Sequence, residues 1–277
     1  MTSPRAPRRL IVNADDFGRS EAVNEAVIRA HREGILTSAS LMVNEPAARE
    51  AAALARENPR LGVGLHLTLL SGRSALPLER IPGLVDARQE FCAGPVRAGL
   101  RFFFQRSLFE QLRAEVHAQF DRFRATGLPL DHVNGHLHLH LHPTIFRILM
   151  SDAAQLGLGR LRLTFDPFWL NLRLASGRLS YRLAHAVIFH LLALRARPVL
   201  RRRAFRHTRA VFGLLQNGRV NEAYLSRLLA RLPPGDSELY SHPSLGESRD
   251  EFEALVSPSV RRLAGQFGIK LIRYQDL

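Results

Sequence analysis

Five histidines fall between His132 and His142, in the run His-Val-Asn-Gly-His-Leu-His-Leu-His-Leu-His. Imidazole binds metal ions and titrates near neutral pH, so such a density points to ligation or proton transfer. Strict alternation predicts an extended strand, with His132, Asn134, His136, His138, His140 and His142 on one face and Val133, Leu137, Leu139 and Leu141 on the other. At ~3.3 Å per residue such a strand runs about 33 Å, so a single ion reaches one or two of these histidines. Asp15-Asp16 follows the apolar run Leu10–Asn13, His66 sits in Gly-Leu-His-Leu, and His242 precedes Pro243. One carboxylate with two imidazoles is a common ligand set for a catalytic divalent ion that keeps a position open for water. A second carboxylate beside it is free to take a proton from that water. Taken singly, Asp-Asp reads equally well as a turn and His66 as a satisfied core histidine. Their recurrence at strand ends favours a metal site.

The elements that must position these residues are legible in outline. Strands are expected at Leu10–Asn13, Ser38–Asn44, Leu61–Leu67, His132–His142, Arg160–Phe165, Ala210–Leu214, Glu238–His242 and Ile269–Tyr274. Between them come helical patterns from Ser20 to Gly34, Pro46 to Glu57, Ser107 to Thr126, Pro143 to Leu156, Asn221 to Arg231 and Asp250 to Phe267, with a loop rich in proline and glycine as far as Gly99. Alternation of this kind implies an α/β fold with seven or eight parallel strands, a (β/α) barrel-like, TIM-like architecture in one domain over residues 1–277. Asp15, Asp16, His66, His136 and His242 then collect at the C-terminal ends of strands, where barrels carry their chemistry. An open doubly wound sheet gathers them at the same ends.

Charge is the second unusual feature. The formal net charge is +14, and residues 160–209 hold twelve arginines against one acid, Asp166. Within a helical basic insertion at about 167–209, Leu179, Leu183, Val187, Leu191 and Leu194 recur at three- and four-residue spacing, with Arg178, Arg182, Arg195 and Arg201–Arg203 nearby. Such a helix suits an anionic membrane surface, or else it covers the barrel with its arginines solvated. Nucleic acid is not expected as a partner of this basic segment. The lone Cys92, the basic N-terminus without an apolar signal segment, and the lack of any uninterrupted run of 18 apolar residues lead to the expectation of a cytoplasmic protein without a spanning helix.

The motifs Asn13-Ala14-Asp15-Asp16-Phe17-Gly18, Gly64-Leu65-His66-Leu67, the histidine-rich run and the late His242-Pro243 resemble, in order, those of the YdjC-like carbohydrate deacetylases. The resemblance implies a barrel-like hydrolase that removes acetyl groups from N-acetylated sugars with one divalent metal ion, zinc or magnesium being favoured. It implies Asp16, His66 and His136 as metal ligands, Asp15 as general base, and His242 as the group that protonates or polarises the reacting amide. Asn13, Asn134, His138 and His140 are left as supporting or substrate-binding residues. Where the chito-oligosaccharide branch has Asp-Ser, this chain has Asn134-Gly135. That difference and the arginine-rich segment are similar to the hopanoid biosynthesis-associated branch, which implies an N-acetylglucosaminyl glycolipid substrate and a peripheral place on the inner membrane face. A metal-dependent phosphoesterase and a non-enzymatic, membrane-associated metal binder remain as alternatives, and a homodimer stays open.

Overall fold

The computed structural model describes residues 6–177 and 179–277. β1 (Arg8–Phe17) is buried at every position from Leu10 onward, the pattern of a strand covered on both faces. α1 (Glu21–Glu33) starts at Ser20, whose hydroxyl accepts the Val23 N–H, while Glu21 and the pair His31, Arg32 complement the two ends of the helix dipole. Gly34 ends it at φ −117°, outside the left-handed region. Glycine is needed there for space, since a Cβ would lie 2.2 Å from the Leu255 carbonyl oxygen. β2 (Ser38–Leu41), α2 (Ala48–Arg56) and β3 (Gly62–Leu67) follow. The segment read as loop contains α3 (Pro95–Phe104), before α4 (Phe109–Ala125) and β4 (Val133–Gly135).

Past Gly135 the expected histidine strand does not continue. The chain turns through two left-handed residues, Leu137 (φ 50°) and His138 (φ 59°), and closes a short 3-10 stretch at Leu141. The physical reason is that each imidazole finds a separate partner which a straight strand could not reach. His138 meets the Tyr240 hydroxyl at 3.0 Å, His140 the Arg162 carbonyl at 2.9 Å, and His142 caps the next helix through the Thr144 N–H.

The remaining elements are α5 (Pro143–Ser151), α6 (Ala153–Leu156), α7 (Phe168–Leu174), α8 (Leu179–Arg202), β5 (Ala210–Phe212), α9 (Glu222–Arg231), β6 (Gly235–Ser241), α10 (Arg249–Val256), α11 (Pro258–Gln266) and β7 (Lys270–Leu271). The sheet is parallel and seven-stranded, in the order β4-β3-β2-β1-β6-β5, with β7 against the start of β1. The expected strand at Arg160–Phe165 makes only isolated bridges, Val133↔Leu161 and Arg160↔Arg206. Its backbone nevertheless bonds to β4 (Val133 N–H to Arg160 O, 3.0 Å) and to β5 (Val211 N–H to Phe165 O, 2.9 Å), so it links the two ends of the curled sheet.

The apolar core lies outside the sheet, where Leu10, Val12, Leu65 and Leu239 meet Val27, Phe120, Ile145 and Leu228 of the helices. Inside, the inward positions carry polar groups: Asn13 and Asp15, Ser40, His66, Asn134, Arg162 and Glu238, all buried. Gly64 belongs to this interior, because a Cβ there would lie 2.5 Å from the His132 carbonyl oxygen and 2.6 Å from its ring. The basic segment forms α7 and α8. α8 is long and apolar enough to cross a membrane, contrary to the sequence expectation that no helix would be, and only 17% of its apolar stretch is buried. Arg182, Ala193, Ala196 and Leu200 anchor it to the rest of the chain. Arg178 lies outside the described residues.

Candidate active site at the strand ends

The two acids of β1 are separated by a bulge. Ala14 pairs with Ala39 and Phe17 with Leu41, so Asp15 and Asp16 together stand opposite Ser40. Asp16 adopts φ 63°, a conformation aspartate tolerates better than most residues. The extra residue re-aims one carboxylate, a recurring use of bulges beside functional sites. Asp15 points into the sheet interior and Asp16 toward His66 and His136.

Asp16 Oδ1 lies 3.3 Å from His66 Nε2 and 3.0 Å from His136 Nδ1. Ligand atoms of these three residues fall within 4.8 Å of one another, which makes them a candidate metal cluster. The exposed Arg19 reaches the other Asp16 oxygen at 3.2 Å.

Hydrogen-bond directions test whether this cluster fits a cation. Arg162, fully buried, donates to both oxygens of Asp15 at 2.7 and 2.9 Å, so that carboxylate is an acceptor. The Asn134 amide must therefore turn its NH2 toward Asp15 (3.1 Å) and Ser40 (2.8 Å), leaving its oxygen 2.7 Å from His66 Nδ1. An amide oxygen only accepts, so His66 carries its proton on Nδ1. In the neutral ring the Nε2 lone pair then faces the Asp16 oxygen, an arrangement of two acceptors that calls for a positive charge between them. A divalent ion shared with His136 fits that demand, and Asn134 supplies the orienting contact that metal-binding histidines usually have.

Asp15 is the pivot of the buried network. Burial alone would raise its pKa, but the Arg162 guanidinium overcomes this and holds the carboxyl far below its usual range. Asn13 also donates to Asp15 Oδ1 at 2.8 Å. Oδ1 thus receives Arg162, Asn13 and Asn134, whereas Oδ2 receives Arg162 alone. Arg162 extends on to Glu238 at 2.6 and 2.9 Å, and Tyr274 donates its hydroxyl to the same carboxylate.

The other expected residues separate into two places. His242 lines the same cavity as Asp15, His66 and His136. Its backbone N–H donates to Glu251 Oε2 at 2.6 Å, and its ring stands edge-on to Tyr240 at 5.7 Å. His138 also faces the cavity, and burial followed by the nearby Arg162 charge pushes its pKa well down. His140 lies behind the cavity on the Arg162 carbonyl, lowered to about 3 by burial. His132 bridges Asp131 and Ser40, and His142 reaches the Gly99 carbonyl. Four participants went unrecognised in the sequence: Arg162, Glu238, Tyr240 and Glu251. Arg162 was hidden among the surrounding arginines, although its parity with Thr164 along an extended segment marks an inward face. Glu251, in the first turn of α10, receives both the Val220 and His242 N–H groups.

The cavity above this floor has a volume of 680 Å³. Its walls are apolar and come from two sides: Val96, Leu100 and Phe103 of α3, and Ile188, Phe189 and Leu192 of α8.

Fold and site define a curled parallel α/β protein with an Asp-His-His cluster at the strand ends. The model of the YdjC-like protein family matches residues 9–266, and the chain belongs to that family. A carbohydrate deacetylase of Geobacillus stearothermophilus is 43% identical over 149 residues, covering 54% of this chain and 57% of that protein. A chitooligosaccharide deacetylase of Proteus mirabilis is 40% identical over 157 residues, covering 54% and 56%. The match thus spans little more than half the length of these curated relatives. Among crystal structures, an Enterococcus faecalis V583 protein named for cellobiose-phosphate cleavage shares the fold at TM-score 0.74 and 24% identity, over 98% of this chain and 99% of that one.

Proposed function

We propose that this protein is a metal-dependent N-deacetylase acting on an N-acetylated sugar carried by a lipid, an N-acetylglucosaminyl hopanoid, at the inner membrane face. The observation that carries the reading is the Asp16-His66-His136 cluster beside Asp15 at the floor of a cavity with apolar walls. The names of the relatives support sugar deacetylation, and the walls suit a substrate whose sugar is joined to something apolar. The acid-free stretch Pro167–Arg209 suits an anionic membrane surface.

Asp16, His66 and His136 would hold the divalent ion, zinc or magnesium. When bound it supplies Lewis-acid polarisation of the acetamide carbonyl and of a water. Asp15, kept ionised by Arg162, accepts the proton of the attacking water at Oδ2, the oxygen with lone-pair capacity to spare. Asn134 holds His66 in its ligating tautomer. His242, whose backbone N–H is held by Glu251, delivers a proton from its ring to the departing amine nitrogen.

The test is acetate release by metal-loaded protein from a soluble chito-oligosaccharide and from an N-acetylglucosaminyl hopanoid in one buffer. Release mainly from the lipid is expected. Release from the soluble sugar alone would overturn the lipid assignment, and release from neither would overturn the deacetylase.

A further inference from the structure

The large exposed hydrophobic side chains of the described residues gather on a few elements. Among the described residues all fourteen large ones lie on α3, α7 and α8 or at Leu137. Val96, Leu100, Phe103 and Phe104 stand out from α3, and Phe104 is 71% exposed. Val187, Ile188, Leu191 and Leu194 stand out from α8, each more than half exposed except Ile188 at 50%. Scattered single hydrophobes need no explanation, but their gathering into one patch marks an interaction surface. Both helices line the one cavity, so the patch surrounds its mouth.

Charge narrows the partner. The chain from Phe91 to Phe109 has no acid and carries Arg97, Arg101 and Arg106; Pro167 to Arg209 has none and carries ten arginines. Two segments that interleave apolar side chains with arginine and hold no carboxylate match an anionic bilayer, whose headgroups take the cations while its acyl region takes the apolar groups. We infer that α3 and α8 are two lips that seat together on an anionic bilayer, so that the cavity opens into the headgroup layer. That a glycolipid enters there rests on the proposed function; the seating itself does not. Two lips matter because α8 alone would leave the other wall of the mouth in water, and a lipid-borne sugar would have to cross it.

The chain's sole tryptophan, Trp169 on α7, is 77% exposed and reports on the α8 side. A second reporter is Phe103→Trp in a Trp169→Phe background. Each is titrated with vesicles of phosphatidylglycerol and phosphatidylcholine, with and without brominated acyl chains. Both should shift to the blue and be quenched over the same range of lipid concentration. Phe103→Ser with Phe104→Ser should weaken partition at least tenfold while Trp169 still reports whatever binding remains. Quenching of Trp169 with the α3 reporter left in water overturns the two-lip arrangement, as does silence from both. Blue shifts without vesicles that grow with protein concentration would assign the patch to a second copy of the chain instead. Acetate release does not enter these readouts, so loss of the deacetylase reading would leave them standing.

Discussion

Among the described residues Arg162 is the only cation in contact with both Asp15 and Glu238, and replacing it by methionine removes that cation. Its guanidinium makes four hydrogen bonds, two to Asp15 and two to Glu238, with no exposure to solvent. Breaking a buried ion pair by removing one partner typically costs about 3–5 kcal/mol, because the other charge stays buried and unpaired. Two carboxylates lose their partner here, so the upper end of that range is expected, a large share of the ~5–15 kcal/mol stability of an ordinary domain. The pH dependence has a defined sign. In the parent, Asp15 has a depressed folded pKa, so its pairing stabilises the fold above the ordinary carboxylate range and is lost only in strong acid. In the variant, burial without the cation raises that pKa above its unfolded value, and stability is lost as pH rises through it. The gap between parent and variant should therefore widen from pH 5 to pH 8 in urea denaturation of metal-free protein. Arg162→Lys, which keeps one charge but not the fork, should fall between them. A gap below about 1 kcal/mol, or one that narrows toward pH 8, would show that Arg162 does not neutralise this network.

Three further outcomes are expected. His66→Ala and His136→Ala should each lose the metal in elemental analysis, whereas His142→Ala, which removes only a helix cap and a bond to Gly99, should keep it. Asn134→Ala should weaken metal affinity by roughly 10–100-fold in competition with a chelator, the usual cost of losing an orienting contact; unchanged affinity would show that the His66 tautomer is set elsewhere. Asp166, pushed up to about 7 by burial, should make stability fall as pH rises from about 4 toward 7, and Asp166→Asn should flatten thermal unfolding midpoints over that interval.

Most of the alternating elements were legible in the sequence because helices α1, α4, α9 and α10 carry apolar periodicity and strands β1, β3 and β6 carry compact buried runs. The histidine segment was misjudged because period two is also what results when alternate side chains each find a private partner along a turn. Positive φ at Leu137 and His138, neither a glycine, leaves no mark in sequence. α3 was missed because Pro95, Gly94 and Gly99 read as loop, though Pro95 occupies the first turn, where proline is welcome. Asp15, Asp16, His66, His136 and His242 were legible as residue types at strand ends. Arg162 and Glu238 were not, because no local pattern says that the inside of this sheet is polar.

The placement of β1 has a consequence for how the chain is made. This strand lies inside the sheet, yet its partners along one whole edge, Gly235–Ser241, belong to the far end of the sequence, with 227 residues separating Arg9 from Asp236. At 5–20 residues per second a ribosome needs roughly 10–45 s to cover that distance. During this interval the nascent chain holds a hydrophobic strand with one open edge, and Asp15 waits for Arg162. The last parts of the buried network to emerge are Glu238 and Tyr274, so the interior completes its charge balance long after Asp15 and Arg162 have left the ribosome. Such a chain should depend on chaperones that shield strand edges far more than a helical bundle of equal length would.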